Sequence, residues 1–177
     1  MALLITIFTA IGVSMDTFSL SLSYGMFKIE KKTIIKISTI VGLFHFVMPI
    51  LGNIVGEYIL KILPINENKL MGIIFIVLIL EVLISMIKKE EAKPLKNNLE
   101  ILLFAFAVSI DSFTTGIGLD AINLPNVIIS LIFMIISFAF TYVGLSFGKV
   151  LNEKIGEKSK IVGIIILSVL SLKYLLL

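Results

Sequence analysis

The chain has 177 residues, of which 58% are hydrophobic and 15% charged, with a mean hydropathy of +1.12. A soluble domain carries about a quarter charged residues, so too few polar residues are present to cover the outside of a soluble helical bundle. The absence of cysteine excludes disulfides and thiolate metal sites, and the net charge of +3 comes from lysines in short loops, a pattern of membrane orientation rather than of nucleic-acid binding.

Six apolar blocks predict six membrane-spanning helices over residues 2–25, 34–60, 70–87, 101–119, 125–148 and 161–177. The N-terminal MALLITIFTA lacks a basic region and a cleavage-like motif, so it reads as the first span and not as a signal peptide. That span contains VSMDTF, with Asp16 inside an otherwise uncharged run, and Thr9, Gly12, Asp16, Ser19 and Ser23 fall along one side of it at helical steps of three or four. The second span holds His45 and is expected to be broken around Pro49, Gly52 and Gly56. Glu81 lies in the third span, seven residues before Lys88. The fourth contains VSIDSF, with Asp111 followed by Thr114, Thr115 and Gly118. Gly144 and Gly148 close the fifth span, and the sixth carries Lys173 near its end, where a lysine can snorkel to the headgroups.

All fifteen basic residues are lysine. Lys28, Lys31, Lys32 and Lys36, then Lys88, Lys89, Lys93 and Lys96, then Lys149, Lys154, Lys158 and Lys160 occupy the three connections on one side, leaving Lys61, Lys69 and Lys173 for the other. The positive-inside rule therefore puts the lysine-rich side in the cytoplasm and both termini outside, in a multi-pass protein of the cell membrane surrounded by lipid.

Val13, Ser14, Asp16 and Phe18 recur as Val108, Ser109, Asp111 and Phe113, an offset of 111 − 16 = 95. Gly52 and Gly56 recur as Gly144 and Gly148, offset 144 − 52 = 92, and Gly72 as Gly163, offset 163 − 72 = 91. Landmarks in the same order with a slowly drifting offset point to a duplication, with residues 2–87 as one three-helix repeat and 101–177 as the other, within a single membrane domain. Three spans per copy make the second copy enter the membrane inverted, an arrangement many secondary transporters share, with the site near the midplane. The fold class expected is thus all-α, six transmembrane helices in two inverted-topology three-helix repeats.

Asp16 lies about 18 Å of helix from Lys28, and Asp111 about 16 Å from Glu100, so both acids fall near mid-membrane and the duplication brings them toward each other. A carboxylate there costs about 3 kcal/mol even on the lenient insertion scale, and two facing acids repel. A divalent cation would remove both penalties; a protonated acid bonding two helices is the structural alternative. Asp16 and Asp111 are the candidate metal ligands, and His45 and Glu81 are further candidates that could equally be structural. Ser14 and Ser109, two positions before the acids, read as packing residues, as caps if the helices break there, or as ligands. Thr9, Ser19, Thr114 and Thr115 are candidates to line the ion's path, and Pro49, Gly52 and Gly144 are packing or hinge positions. No nucleotide-binding loop, HExxH or nucleophile–His–acid arrangement is present, so neither an enzyme nor a resident cofactor is expected.

The stretches SMDTFSLSLSYG, GLFHFVMPILG and AVSIDSFTTGIGL, in that order, resemble the MntP family of manganese efflux pumps, which is distantly related to LysE-type exporters. The likeness spans nearly the whole chain. It implies a six-span inner-membrane exporter that lowers cytoplasmic manganese, with Asp16 and Asp111 as the essential intramembrane acids and Mn²⁺ as substrate. The chain departs from the family pattern at His45, where a Gln or Glu is common, and at Ser85, where a basic residue is common. Function is therefore expected to be Mn²⁺ export by proton-coupled alternating access, with the metal ion and protons as partners and a homodimer compatible with so small a bundle. The alternatives are export of another divalent cation or a small basic solute, or a membrane partner protein that transports nothing.

Overall fold

The computed structural model describes residues 1–27, 29–63, 65–87, 95, 97–148, 150 and 153–176, and the loop lysines Lys28, Lys88, Lys89, Lys93, Lys96 and Lys149 lie outside that set. The described residues are helical, with no strand: α1 (Ala2–Gly25), α2 (Lys31–Ile62), α3 (Glu67–Ile87), α4 (Asn98–Ala107), α5 (Ile110–Gly116), α6 (Asn126–Phe147) and α7 (Glu153–Leu176), with a short 3₁₀ turn at Leu119–Ala121. Among the described residues, six stretches are long and apolar enough to cross a membrane, α4 and α5 together forming one of them.

The span boundaries follow the apolar blocks, except that α7 begins at Glu153 rather than at Ile161, and two breaks fall differently. The second helix is not broken. It runs from Lys31 to Ile62 straight through Pro49. Proline removes one backbone donor, here the one that would reach the His45 carbonyl four residues back, and neighbouring helices let membrane spans tolerate that loss. The break falls instead in the fourth span, at Val108 and Ser109, which contain neither proline nor glycine.

In lipid, helices associate through close packing rather than through water exclusion, so small residues decide where backbones meet. α1 packs on α6 and α7, α2 on α5 and α6, and α3 on α7. At Gly52 and Gly56 the α2 backbone lies against Phe113, Gly116 and Ile117. At Gly144 and Gly148 the α6 backbone lies against Phe18, Ser21, Leu22 and Gly25 of α1. Along α7 the buried residues Gly156, Lys160, Gly163, Leu167, Leu170 and Tyr174 recur at steps of three or four, and α1 answers in antiparallel register, with Ser19 at Gly156 and Gly12 at both Gly163 and Leu167.

Two apolar clusters result. One joins Ala10 and Val13 to Met71, Phe75, Phe133 and Leu167. The other joins Ile37 and Val41 to Phe104, Val108 and Leu145. On α1, the fourth span and α6, buried polar residues occupy the stretch between them: Ser14 and Thr17, Asp111 and Thr115, Ser137 and Thr141. On α2, His45 and Asn53 lie between Val41 of the second cluster and Ile59 at the edge of the first. The fold thus sandwiches a polar layer between two greasy ones.

Candidate cation site

Asp16 sits nine residues before the end of α1, about 14 Å along the helix. The stripe that carries it faces α7. There its Oδ1 meets the Lys160 ammonium at 2.9 Å, with the Asp16 side chain 18% and the Lys160 side chain 9% exposed. The Lys160 Nζ also donates to the Ser85 hydroxyl at 2.9 Å. Ser85 lies 2.8 Å from the Val82 carbonyl and 3.3 Å from Asp16 Oδ1. A hydroxyl has one proton, and the shorter contact assigns it to Val82, leaving a lone pair for Lys160.

Lys160 was expected in the loop before the last span; α7 instead begins at Glu153 and carries it inside the bundle. The signal for it was the α7 stripe, since stepping back three residues from Gly163 lands on Lys160.

Asp111 is buried, one residue into α5 beyond the helix break, and lies within electrostatic reach of Asp16, Glu81 and Lys160. Its carboxylate makes no ion pair among the described residues. Glu81 is exposed on α3, one turn before Ser85, and within electrostatic reach of Asp16. Side-chain contacts join Asp16 of α1, Lys160 of α7 and Ser85 of α3, while the Thr17–Val108 bond ties the segment carrying Asp111 to α1 and Glu81 sits one turn before Ser85 on α3.

The other candidates are distributed around it. Ser14 Oγ and Ser137 Oγ share a hydrogen bond of 2.8 Å that ties α1 to α6. Ser109 sits at the break, and its hydroxyl donates to the Phe106 carbonyl at 2.8 Å rather than capping α5. Thr17 donates to the carbonyl of Val108 at 3.3 Å, so the break in the fourth span is stitched to α1 beside both acids. Thr114 and Thr115 bond back to the carbonyls of Ile110 and Asp111, the usual way a helical threonine satisfies its hydroxyl in an apolar setting. His45 is fully buried on α2, its Nδ1 at 2.9 Å from the Val41 carbonyl and its Nε2 without a hydrogen bond among the described residues. Thr9, Ser112 and Thr141 also bury hydroxyls that have no hydrogen-bond partner among the described residues. Ser19 and Thr9 lie on the α1 face toward the bundle, while Pro49, Gly52 and Gly144 are points of backbone approach and not donors of side-chain ligands.

Among the described residues, no three His, Cys, Asp or Glu side chains converge as a ready-made metal site. Beside the two motif acids, the Thr17 hydroxyl is bonded to the Val108 carbonyl. A second polar centre lies apart from them, where Asn53 donates to Asp120 at 2.8 Å and Asn126 donates to Asn53, fastening the α5–α6 connection to α2. A depression of about 420 Å³ lined by Leu119, Asp120, Asn123 and Asn126 opens there and includes none of Asp16, Asp111 and Glu81.

Residues 28–175 match the family described as "Putative manganese efflux pump". The chain belongs to the MntP family. The MntP protein of Bacillus cereus strain B4264 is 32% identical over 162 residues, covering 91% of this chain and 89% of its own length. Those of Bacillus licheniformis and Bacillus pumilus are 30% and 33% identical over 168 residues, covering 94% of this chain and 90% and 91% of their own lengths. All three carry the name "Putative manganese efflux pump MntP". No solved structure matches the chain. Membership places this six-span protein among transporters rather than enzymes, in agreement with its membrane-length helices.

Proposed function

We propose that the chain exports Mn²⁺ from the cytoplasm by alternating access, with Asp16 and Asp111 as the acids that take up the ion's charge. The observation that carries this reading is the meeting of the two motifs: Thr17 of VSMDTF donates to the carbonyl of Val108 of VSIDSF at 3.3 Å, which draws the segments of two acids ninety-five positions apart (111 − 16 = 95) together in the polar layer. Family membership supplies the cargo, since the relatives are named for manganese efflux.

The remaining parts follow from the same residues. The lysine-rich connections mark the cytoplasmic face and leave both termini outside. The matched contacts of Gly52 and Gly56 with Phe113, Gly116 and Ile117, and of Gly144 and Gly148 with Phe18, Ser21 and Leu22, support two halves related by an inverted repeat, because the partners as well as the glycines correspond. In such a scaffold one half rocks against the other around a midplane site. Cargo leaves its hydration shell for carboxylate, hydroxyl and carbonyl oxygens. Moving two positive charges out against an inside-negative potential costs about 4.6 kcal/mol per 100 mV, and inward movement of two protons on the same acids offsets it. His45 Nε2 is the one imidazole nitrogen able to add a nitrogen ligand.

The test is metal content and growth of a bacterium deleted for its own manganese exporter. The intact chain lowers cell manganese and restores growth under manganese challenge; Asp16→Asn and Asp111→Asn, at matched membrane levels, do neither. An intact, inserted chain that leaves both quantities unchanged refutes manganese export. The oxygen-rich donor set favours one second reading, export of another hard divalent ion such as Mg²⁺, which the same strain distinguishes by total metal analysis.

A further inference from the structure

We propose that Lys160 is a tethered counter-cation, whose ammonium occupies the Asp16 carboxylate when no cargo is bound and has to leave before a divalent ion can enter. The inference rests on the two-carboxylate reading above and adds to it the residue that sets cation affinity.

Four observations carry it. Lys160 is the buried lysine of the α7 stripe, where every other buried position in register is small or apolar. Its Nζ stands 2.9 Å from Asp16 Oδ1, in the space a metal ligated by that oxygen would need. The ammonium is held from a second helix, since Ser85 of α3 accepts from it at 2.9 Å while giving its own proton to Val82. Finally, Glu81 lies four residues before Ser85 on the same helix and is exposed. Residues four apart share a helix face, so Glu81 offers an acceptor one turn away once Asp16 is taken.

The chemistry suits exchange. A buried ion pair gains little net stability, because desolvation consumes most of the attraction, so replacing this pair with a carboxylate–metal contact needs no large structural loss. Lysine is a compact charge on a flexible four-carbon stem, able to move between acceptors with its backbone fixed. An ammonium matches a monovalent ion in charge and competes with it on equal terms. A divalent ion engages Asp16 and Asp111 with twice the charge. Lys160 thus keeps monovalent cations off the site and holds divalent affinity low enough for cargo to be released.

The experiment measures Mn²⁺ binding to the purified full chain in detergent, through loss of the electron paramagnetic resonance signal of aqueous Mn²⁺. Lys160→Met, which keeps most of the side chain's apolar stem and removes its charge, lowers the Kd by about tenfold or more. Ser85→Ala, which removes only the second anchor, lowers it by about threefold, and Lys160→Arg stays near the intact chain. Damage to a purely structural contact would weaken binding, so tighter binding is the signature. A monodisperse Lys160→Met protein with an unchanged or higher Kd overturns the proposal. Where that variant does not fold, an unchanged Kd in Ser85→Ala overturns it. A different failure marks the underlying reading: if neither the intact chain nor any Lys160 variant binds Mn²⁺, or if Asp16→Asn binds as tightly as the intact chain, the two-carboxylate site itself is wrong and this inference falls with it.

Discussion

The two aspartate motifs of this chain are nearly the same in sequence and are used differently in three dimensions. Around Asp16 the helix is continuous, the acid is partly exposed, and a lysine and a serine from two other helices hold it. Around Asp111 the helix is interrupted two residues earlier, the acid is buried, and no cation touches it among the described residues. Ser14 reaches across to Ser137, whereas Ser109 turns back onto its own backbone. A duplicated motif therefore supplies two acids to one polar layer, one in an accessible, charge-compensated position and one in a sealed position beside a helix break.

Substitutions at the acids separate the two positions most strongly. Both Asp16→Asn and Asp111→Asn reduce transport to background, but only Asp16→Asn also leaves a buried ammonium without its carboxylate. Asp16→Asn should therefore lower stability by about 1–2 kcal/mol, a figure reduced from that of a fully buried pair for the partial exposure of Asp16. The double variant Asp16→Asn/Lys160→Met recovers most of that loss without recovering transport. Thermal unfolding of the detergent-solubilised proteins reads the first effect and metal uptake into vesicles the second; equal destabilisation by the two single variants would erase the distinction drawn here.

The glycines at the helix contacts differ in what an added methyl group meets. At Gly52 it runs into the Phe113 carbonyl and comes within 2.9 Å of Gly116 Cα, all backbone. At Gly144 its nearest neighbour is the Ser21 Cβ at 2.6 Å, and at Gly12 it meets only the Leu167 and Ile166 side chains, none nearer than 3.2 Å. Overpacking costs about 1–3 kcal/mol, so Gly52→Ala belongs at the upper end, Gly144→Ala below it and Gly12→Ala near or under the lower limit. Thermal stability measured across the three checks the order.

Much of this was legible in the apolar blocks. The length and spacing of the blocks give the spans, and the recurrence of VSxDxF gives the pair of acids. Three features escaped for physical reasons. The break at Val108–Ser109 has no proline or glycine to announce it, while Pro49, which does look like a breaker, is absorbed within α2 because α5 packs against it through Gly116. Lys160 was hidden by its charge: a lysine next to an apolar block reads as loop, although its place on the α7 stripe marks it as inward-facing. Ser85 stands out in the sequence as a departure from the family pattern, but its role as a partner of Lys160 comes only from the contact between α3 and α7.

The smallest effects lie in the hydrogen bonds that stitch the layer together. Membrane hydrogen bonds average about 0.6 kcal/mol. Ser137→Ala, which leaves Ser14 without its partner on α6, and Thr17→Val, which frees the Val108 carbonyl at the break, should each cost about that much. Ser109→Ala, whose bond is local to one turn, should cost less. A cost for Ser109→Ala exceeding that of Ser137→Ala would show that the break, rather than the α1–α6 contact, is the tighter constraint.

The most direct measurement is Mn²⁺ flux in liposomes containing the purified chain, its Asp16→Asn and Asp111→Asn forms and the double variant, with the metal reported by quenching of an enclosed dye. Two acids acting at one site predict flux for the intact chain, background for each single variant, and no further loss for the double. Flux that persists in either single variant at the rate of the intact chain would contradict a shared two-carboxylate site.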